Sequence, residues 1–359
     1  MLSEKLKYIF DQFQHSAEFS SFKELASGHI NDTYLIKTTK KPFFVLQRIN
    51  HGVFKNVPEL IENKVAISNH IKQKLQHLSP KKQKRQILTF LNTKSNASYF
   101  KGVEDDYWNL MQFIHKSVTF EQVESEDIAY EGGKLLGQFL TLTSDFDAST
   151  LSEVIPNFHD MSFRYREFEE ALSKTSEDKL LKAQTSIQIV QDLKIEMHIL
   201  QTLKESGEIK LRVTHNDTKI SNVLFDKKHK GLCLIDTDTV MPGIVHYDFG
   251  DAIRTICNSA AEDEANLALV TFNMSYYKAY KKGFLQEMKQ SLTPLELQYL
   301  PLGAKTMIFI IGLRFLTDFL NGDIYYKTKY PEHNLDRAKN QFKLLQSFTD
   351  QMGVDGFRV

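Results

Sequence analysis

The sequence predicts an α+β protein of two lobes, a small N-terminal lobe over residues 1–115 and a larger C-terminal lobe over residues 116–359. In the first part of the chain, short apolar runs alternate with turn residues, which is the pattern of an antiparallel sheet. One long helical pattern, over residues 58–76, interrupts these strands. Beyond about residue 116, helical periodicity predominates. We therefore expect an antiparallel sheet with one helix in the small lobe, and a mainly helical second lobe.

Composition excludes several functional classes. Hydrophobic residues make up 42% and charged residues 25% of the chain, proportions typical of globular proteins. Lys plus Arg and Asp plus Glu both number 45, and this balance argues against a general nucleic-acid or anionic-membrane binder. The two cysteines, Cys233 and Cys257, are too few for a disulfide framework.

The chain shows no pattern typical of a membrane protein at its N-terminus or in its later helices. The first residues carry early acidic side chains and no long apolar run, unlike a signal peptide. The most apolar later run covers only residues 306–313, whereas a membrane span needs about twenty residues. We expect a cytoplasmic protein with access to ATP, and neither a membrane nor a nucleic-acid partner.

The stretch over residues 213–254 carries the strongest functional pattern. His-Asn-Asp ends at Asp217, and Asn222 follows five residues later. Two apolar runs around a turn then predict a β-hairpin, and Asp236 stands directly after its second strand. The hairpin should therefore hold Asn222 and Asp236 close together, with Asp217 shortly before them in the chain.

This grouping has the form of a phosphoryl-transfer centre. Transfer of a γ-phosphoryl group to an alcohol needs an acceptor for the hydroxyl proton and Mg²⁺ to orient and neutralise the phosphates. Asp217 fits the role of base, and Asn222 and Asp236 offer the hard oxygen ligands that Mg²⁺ prefers. Protein kinases have the same Asp-to-Asn step followed by a metal-binding Asp.

Each residue also has a structural explanation. An isolated Asp or Asn near Gly and Thr is usually a turn or cap residue. His215 fits a structural histidine that orders the loop better than a second base. Asp238 fits either a group that supports the metal site or a turn residue. The joint pattern favours the functional interpretation of Asp217, Asn222 and Asp236.

The motifs HNDTKISNVLFD, LIDTDTVMPG and YDFGDAIR resemble those of the aminoglycoside phosphotransferase superfamily of kinase-like enzymes. SGHINDTY, VLQRIN and the segment over residues 312–338 resemble more narrowly the N-acetylhexosamine 1-kinases. The resemblance implies a bilobal protein-kinase-like fold, with ATP as cosubstrate and Mg²⁺ as cofactor. It also implies that an Asp at position 248 supports the catalytic loop as a buried acceptor for N–H groups. The Asp-Phe-Gly triplet that begins at Asp248 is then a coincidence, because Asp236 already occupies the metal position.

In the small lobe, the residues that we expect to bind nucleotide come from four elements. The turn over residues 27–33 has the chemistry of an ordinary β-turn, and the resemblance implies that it covers the phosphates. The next strand carries Arg48 where kinases place a phosphate-holding Lys, although Gln47 could align there instead. The helix that follows offers Glu62, or Glu59, as the partner of that cation. The hinge is expected at residues 111–114. The predicted nucleotide-binding residues are Gly28, Asn31, Asp32, Thr33, Arg48, Glu62, Met111 and Phe113.

In the second lobe, Arg314 and Asp318 have i,i+4 spacing on a predicted helix. Such a pair is commonly a helix salt bridge. The functional interpretation, which the resemblance supports, has Arg314, Asp318 or His333 contacting the acceptor sugar or its acetamido group.

The sequence thus predicts ATP- and Mg²⁺-dependent phosphorylation of a small sugar, most simply at the anomeric hydroxyl of N-acetylglucosamine or N-acetylgalactosamine. One alternative keeps the superfamily and changes the acceptor to another sugar, choline, homoserine or an aminoglycoside. A second alternative is a nucleotide-binding module without catalysis, which the absence of a strand Lys permits.

Overall fold

The computed structural model describes residues 2–25 and 30–353. Within these residues the helices are α1 Leu2–Phe10, α2 Val57–Lys74, α3 Pro80–Gln86, α4 Glu126–Leu142, α5 Met161–Lys174, α6 Glu177–Met197, α7 Ile199–Glu205, α8 Val245–Ile256, α9 Met274–Met288, α10 Pro294–Gln298, α11 Leu300–Asn321 and α12 His333–Met352. The strands are β1 Phe19–Glu24, β2 Asp32–Thr38, β3 Phe44–Ile49, β4 Phe90–Leu91, β5 Phe100–Lys101, β6 Tyr107–Gln112, β7 Arg212–Thr214, β8 Val223–Phe225, β9 Gly231–Leu234 and β10 Met241–Gly243. An antiparallel sheet in the N-terminal part and helices in the C-terminal part confirm the predicted fold class.

The chain forms two compact units. Unit 1 contains Met1–Thr119, Leu142–Pro156 and Asn222–Pro242, and unit 2 contains the remaining three segments, Phe120–Thr141, Asn157–Ser221 and Gly243–Val359. Unit 1 therefore includes two segments that lie beyond the predicted boundary at residue 115. The hairpin β8–β9 belongs to unit 1 because its apolar side chains pack against those of the N-terminal strands.

The sheet of unit 1 has the strand order β1-β2-β3-β6-β4, with β5 also paired to β6, and its pairs are antiparallel. One face buries large side chains, among them Phe44, Leu46 and Trp108. Helix α1 covers this face with Leu6, Ile9 and Phe10, which are at most 2% exposed. This core fixes β3, so that alternate side chains of the strand point to defined sides.

Helix α2 begins at Val57 with Pro58 in its first turn, where a missing N–H costs no helical hydrogen bond. Its buried side includes apolar Leu60 and Ile61, and also polar Asn63, Lys64 and Ser68. Buried polar side chains require hydrogen-bond partners. The partners of Asn63 and Lys64 include residues of the segment that follows the hairpin β8–β9.

Unit 2 is organised around α11. This helix is long and apolar enough to cross a membrane, but 94% of its apolar window is buried inside the protein, as expected for a core helix; among the described residues it alone meets these criteria of length and composition. Helices α5, α8 and α12 pack on it. A Cβ atom on Gly250 of α8 would lie 2.2 Å from the carbonyl oxygen of Gly303 of α11, so these glycines allow the two backbones to approach closely.

Candidate active site

The hairpin β8–β9 brings Asn222 and Asp236 to the same end of unit 1. Val223 pairs with Leu234 in antiparallel register, and the backbone N–H of Ile235 donates to the carbonyl of Asn222 at 2.9 Å. Asn222 is buried and Asp236 is half-buried. The two predicted metal ligands are therefore adjacent across one ladder, as the sequence predicts.

Two motif residues have a left-handed backbone. Asp236 has φ 59° and Asn216 has φ 62°, a region that non-glycine residues rarely adopt and that Asn and Asp tolerate best. Such conformations are concentrated at functional sites, because the surrounding structure must hold them. Asp236 is the second residue after β9, and Asn216 directly precedes Asp217. The chain therefore turns sharply at one proposed metal ligand and just before the proposed base.

In unit 1 the segment after Asp236 is held by a buried ion pair. The Lys64 ammonium of α2 donates to Oδ1 of Asp238, and the two side chains are 1% and 3% exposed. Lys64 Nζ also lies 3.2 Å from Oε1 of Gln47 on β3. The second carboxylate oxygen of Asp238 accepts from the side-chain amide of Asn31. The Asp238 carboxylate thus connects α2 with the residue before β2, and the Lys64 ammonium connects α2 with β3.

Asn63, the neighbour of Lys64 on α2, supports the same segment. Its Nδ2 donates to the carbonyl of Val240 at 2.9 Å and to that of Ser152 at 2.8 Å, and its Oδ1 accepts from the N–H of Ser152 at 3.0 Å. Consecutive side chains of α2 therefore hold the chain on the C-terminal side of Asp236.

The other predicted phosphate-binding residues lie on or before β2 and β3. Arg48 is 43% exposed at its side chain and pairs with Asp32, with Nε 2.6 Å from Oδ2. The expected pair between Arg48 and Glu62 is wrong, because the strand register places Asp32 directly opposite Arg48, and Glu62 is exposed. Gln47, which alternates with Arg48 along the strand, is the buried one of the two.

Asn31 and Thr33 flank the beginning of β2. Oδ1 of Asn31 accepts from the N–H of Asn50 at 2.8 Å, which ties this residue to the end of β3. Thr33 pairs with Gln47 in the sheet, and its carbonyl accepts from the N–H of Leu25 at 2.8 Å. Gly28 lies outside the described residues.

An apolar cluster in unit 1 contains the predicted hinge residue Met111. Its buried members are Leu88, Met111, Ile114 and Cys233, and its partly buried members are Val45, Phe90, Leu224, Leu232 and Ile235. The Phe113 N–H donates to the carbonyl of Phe43 at 3.0 Å. The next N–H, that of Ile114, has no acceptor in the described parts of the chain. Burial raises the pKa of the Cys233 thiol to about 12, which agrees with a packing role.

In unit 2, Asp248 anchors the loop that carries Asp217. Its carboxylate is fully buried and accepts from the backbone N–H groups of His215 at 2.8 Å and Asn216 at 2.7 Å. Burial raises the pKa of Asp248 to about 7, against the opposing effect of these two hydrogen bonds. The expectation of a buried acceptor for loop N–H groups is confirmed.

A second carboxylate supports the loop beyond Asp217. Asp251, one turn along α8, accepts from the N–H of Thr218 at 2.9 Å and from its hydroxyl at 3.2 Å. The Asp-Phe-Gly triplet belongs to α8. Phe249 packs there against Tyr277, Tyr280 and Phe284. The triplet is thus a packing and loop-anchoring element, as expected from the position of Asp236.

Asp217 itself is 30% exposed at its side chain, and Lys219 Nζ lies 2.9 Å from its Oδ2. His215 is fully buried and meets Phe139 edge-on, with 5.9 Å between ring centroids. Burial and this ring contact favour the structural interpretation of His215. The loop thus presents one accessible carboxylate beside one ammonium group.

The predicted acceptor residues of unit 2 differ in their surroundings. Asp318 is 4% exposed and accepts from the backbone N–H groups of Ile324, Tyr325 and Tyr326 at 2.9–3.1 Å. It therefore orders the chain after α11 and makes no salt bridge with Arg314, so the i,i+4 pair is wrong. His333 is also buried, and its Nδ1 accepts from the Lys329 N–H at 3.2 Å.

Arg314 lies among aromatic rings. Its guanidinium carbon is 5.1 Å from the ring centroid of Phe158, 5.8 Å from Tyr325 and 5.6 Å from Tyr326. The side chain is half-buried, and its N–H groups donate to no residue of the described chain. A guanidinium has five such donors. The Arg314 side chain therefore has N–H groups that the described residues do not use.

No sequence pattern pointed to His159, which lies near Arg314. His159 is 7% exposed, and neither ring nitrogen has a partner among residues 2–25 and 30–353. Burial, with Arg314 and Arg164 nearby, lowers the pKa of His159 well below its ordinary value. Arg337 stacks 3.7 Å above Phe315 and bonds Glu262 at 2.5 Å. A sequence signal existed only for Arg337, in the segment after residue 312.

The donor set at the hairpin suits Mg²⁺. Asn222 and Asp236 provide hard oxygen atoms, and no group of three or more His, Cys, Asp or Glu side chains in the described residues could hold a metal ion by itself. Mg²⁺ commonly takes one or two protein ligands and completes its octahedron with water and phosphate oxygens. The residues present fit a metal ion that arrives with a nucleotide.

Known structures share this fold. The microcompartment-associated aminopropanol kinase has 14% identity over 99% of both chains, with a TM-score of 0.64. The amicoumacin kinase hAmiN, solved with AMP-PNP, Ca²⁺ and Ami, has 12% identity over 96% of this chain and 93% of that chain, with a TM-score of 0.62. Choline kinase from Cryptosporidium parvum Iowa II has 13% identity over 92% and 90%, with a TM-score of 0.58.

The family assignment comes from the sequence itself. The model of the phosphotransferase enzyme family, APH, matches residues 21–280, which include the sheet of unit 1, the Asp217 loop and the hairpin with Asp236. The chain belongs to the APH phosphotransferase enzyme family.

Proposed function

We propose that this protein is an ATP- and Mg²⁺-dependent kinase of a small sugar, and that it phosphorylates the anomeric hydroxyl of N-acetylglucosamine or N-acetylgalactosamine. The observation that carries the kinase proposal is the anchored Asp217 loop, in which Asp248 and Asp251 hold the backbone on both sides of an accessible carboxylate. We propose ATP as the phosphoryl donor. The phosphotransferase family and the AMP-PNP in the complex of hAmiN both support this choice.

In the proposed reaction, Asp217 accepts the proton of the sugar hydroxyl. The hydroxyl oxygen forms a bond to the γ-phosphorus, and the bond from that phosphorus to the β,γ-bridging oxygen breaks. The electron pair leaves on ADP, and the second product is the sugar 1-phosphate. Lys219 Nζ lies 2.9 Å from Oδ2 of Asp217, so an ammonium group stands beside the proposed base. Asn222 and Asp236 would hold Mg²⁺, which neutralises and orients the phosphates.

Unit 1 supplies the proposed nucleotide contacts. The partly buried apolar side chains around Met111 suit the faces of a purine ring, and the N–H of Ile114 offers it a hydrogen bond. Gly28, Asn31, Asp32 and Thr33 are proposed to cover the phosphates. Arg48 and Glu62 are also proposed to contact the nucleotide, but they are exposed and are weaker candidates than the buried residues.

The surroundings of Arg314 support a sugar over a cationic acceptor. Its guanidinium has aromatic neighbours and no carboxylate partner in the described chain. A choline, aminopropanol or aminoglycoside cation would meet an uncompensated positive charge there. A neutral sugar instead offers hydroxyl and acetamido oxygens, which a guanidinium can bind with two parallel hydrogen bonds. Asp318 and His333 would act by ordering the chain near Arg314.

A substrate screen tests the proposal. The purified protein is incubated with ATP, Mg²⁺ and one acceptor at a time: the two N-acetylhexosamines, neutral hexoses, choline, aminopropanol, homoserine or an aminoglycoside. ADP release measures turnover, and ³¹P NMR locates the phosphate. We expect an N-acetylhexosamine 1-phosphate. Turnover with another acceptor alone would discard the sugar assignment and keep the kinase, and nucleotide binding without any turnover would favour a non-catalytic module. The Asp217→Asn variant serves as the control for contaminating kinases.

A further inference from the structure

We propose that Lys64, on helix α2, is the side chain whose charge binds the phosphates of the nucleotide in unit 1. This inference rests on the proposed use of a nucleotide, and not on the identity of the acceptor. Kinases of this architecture place a Lys on the third strand and an acidic partner on the following helix. Here the strand position holds the neutral Gln47, and the helix holds the cation.

The position of the Lys64 ammonium supports this role. Its Nζ is 3.2 Å from Oε1 of Gln47, so the charge lies at the strand position that would otherwise carry it. Its ion-pair partner, Asp238, is two residues after the proposed metal ligand Asp236. Asp238 also binds Asn31, which belongs to the predicted turn over residues 27–33 that is expected to cover the phosphates. The ammonium therefore lies where three proposed parts of the nucleotide site meet.

The burial of Lys64 supports a use beyond stability. Among the described residues of unit 1, it is the Lys or Arg with the smallest exposure, 2%. Buried ion pairs contribute little net stability, because desolvation offsets most of their attraction, and apolar replacements are often as stable. A fold that needed only packing at this position could use an apolar residue. An ammonium has three donors, and Asp238 and Gln47 take two of them.

Arg48 is a poorer candidate for the same task. Its side chain points to the other side of β3 from Gln47, is 43% exposed, and is already bonded to Asp32. Asp32 lies directly across the strand pair, so this ion pair is complete within the two strands. The geometry therefore favours Lys64 as the cation that meets the phosphates, with Asp238 keeping the ammonium in place before the nucleotide binds.

The test compares Lys64→Met with Lys72→Met, an exposed lysine on the same helix. Isothermal titration calorimetry measures the affinity of each variant for Mg-ATP and for adenosine, which lacks phosphates. We expect Lys64→Met to weaken Mg-ATP binding by at least about tenfold, the loss of one charge-assisted hydrogen bond or more. Adenosine affinity should stay within about twofold, because a neutral ligand gains nothing from the charge. Lys72→Met should bind both ligands as the wild type does.

A second pair of variants separates binding from folding. The Lys64→Met variant leaves the Asp238 carboxylate buried without its cationic partner. The double variant Lys64→Met, Asp238→Asn removes both charges. Circular dichroism of each variant checks that it is folded. Lys64→Arg should recover part of the Mg-ATP affinity. The proposal is overturned if the double variant binds Mg-ATP as tightly as the wild type, if ATP and adenosine lose affinity equally, or if Arg48→Met alone reproduces the loss. A wild-type protein that binds no ATP would overturn the proposed function as well, whereas a different acceptor would leave this inference intact.

Discussion

The two segments that carry the proposed catalytic carboxylates are held in different ways. In unit 2, Asp248 and Asp251 accept the backbone N–H groups around Asp217. In unit 1, the chain after Asp236 is held by side chains of α2, through the ion pair of Asp238 with Lys64. Backbone N–H groups keep their positions when a ligand binds. The Lys64 ammonium, in contrast, can be shared between the Asp238 carboxylate and an arriving phosphate. We therefore expect the first segment to be preformed and the second to adjust when a nucleotide binds.

Asp217→Asn should break the chemistry of the preformed segment and leave unit 1 untouched. We expect kcat to fall by about 10²–10⁴-fold, because the amide cannot accept the hydroxyl proton. The affinity for Mg-ATP, measured by calorimetry, should change little. A variant that kept the wild-type kcat would show that Asp217 is not the base.

Asp236→Ala should differ from Asp217→Asn by impairing nucleotide binding in addition to catalysis. Removing a charged oxygen ligand is expected to weaken Mg-ATP binding by about 10- to 100-fold, and to lower kcat as well. Titrating activity with Mg²⁺ at fixed ATP separates this effect from the loss of the base. If the Mg²⁺ dependence were unchanged, the metal assignment would be wrong, and the comparison would rest on Lys64 alone.

Asp248→Asn tests how the preformed segment is held. An amide can accept only one of the two N–H bonds and directs its own donors at the other, so the loop should shift and kcat should fall by about 10- to 100-fold. The substitution also removes a titration. Because burial raises the pKa of Asp248 from 3.8 to about 7, the folded protein binds the proton more tightly than the unfolded chain does.

The contribution of Asp248 to the free energy of unfolding should therefore fall as the pH rises from about 4 to about 7, by at most about 1.4 kcal/mol per pH unit. Urea unfolding of the wild type and of Asp248→Asn at pH 5 and pH 7.5 measures this pH-dependent contribution. The variant should gain stability relative to the wild type at the higher pH. An equal difference at both pH values would contradict the raised pKa.

Arg314→Met should have the smallest of these effects and no effect on the nucleotide. We expect KM for the sugar to rise by roughly tenfold, from the loss of hydrogen bonds to a charged donor, with kcat within a few-fold of the wild type. Arg314→Lys keeps the charge but not the paired donors, so it should recover only part of the affinity. An unchanged KM would place the acceptor elsewhere in unit 2.

Local pattern was sufficient for the fold class and for the hairpin that brings Asn222 and Asp236 together. Strand alternation, the Pro near the start of α2 and the hairpin around its turn are all short-range signals, and each is found in the structure. The role of Asp248 as a buried acceptor was also predicted, although that inference came from resemblance and not from spacing.

Long-range packing explains what the sequence did not reveal. Lys64 lies on a helix where charged residues are usually exposed, and its partner Asp238 is 174 residues away in the chain. Arg314 and Asp318 have the spacing of a helix salt bridge, but each has a stronger partner: aromatic rings for Arg314 and three backbone N–H groups for Asp318. His159 carries no motif, and only its burial beside two arginines distinguishes it.

The position of α11 in the chain determines how this protein can be synthesised. The helix that α5, α8 and α12 pack against is made only at residues 300–321, after α5 and α8. Until then, the earlier helices have apolar faces without their main partner, and such exposed surfaces favour aggregation and chaperone binding. Unit 1 has all its segments once residue 242 has left the ribosome. The first unit can therefore fold before α11 is made, whereas the second must wait for α11.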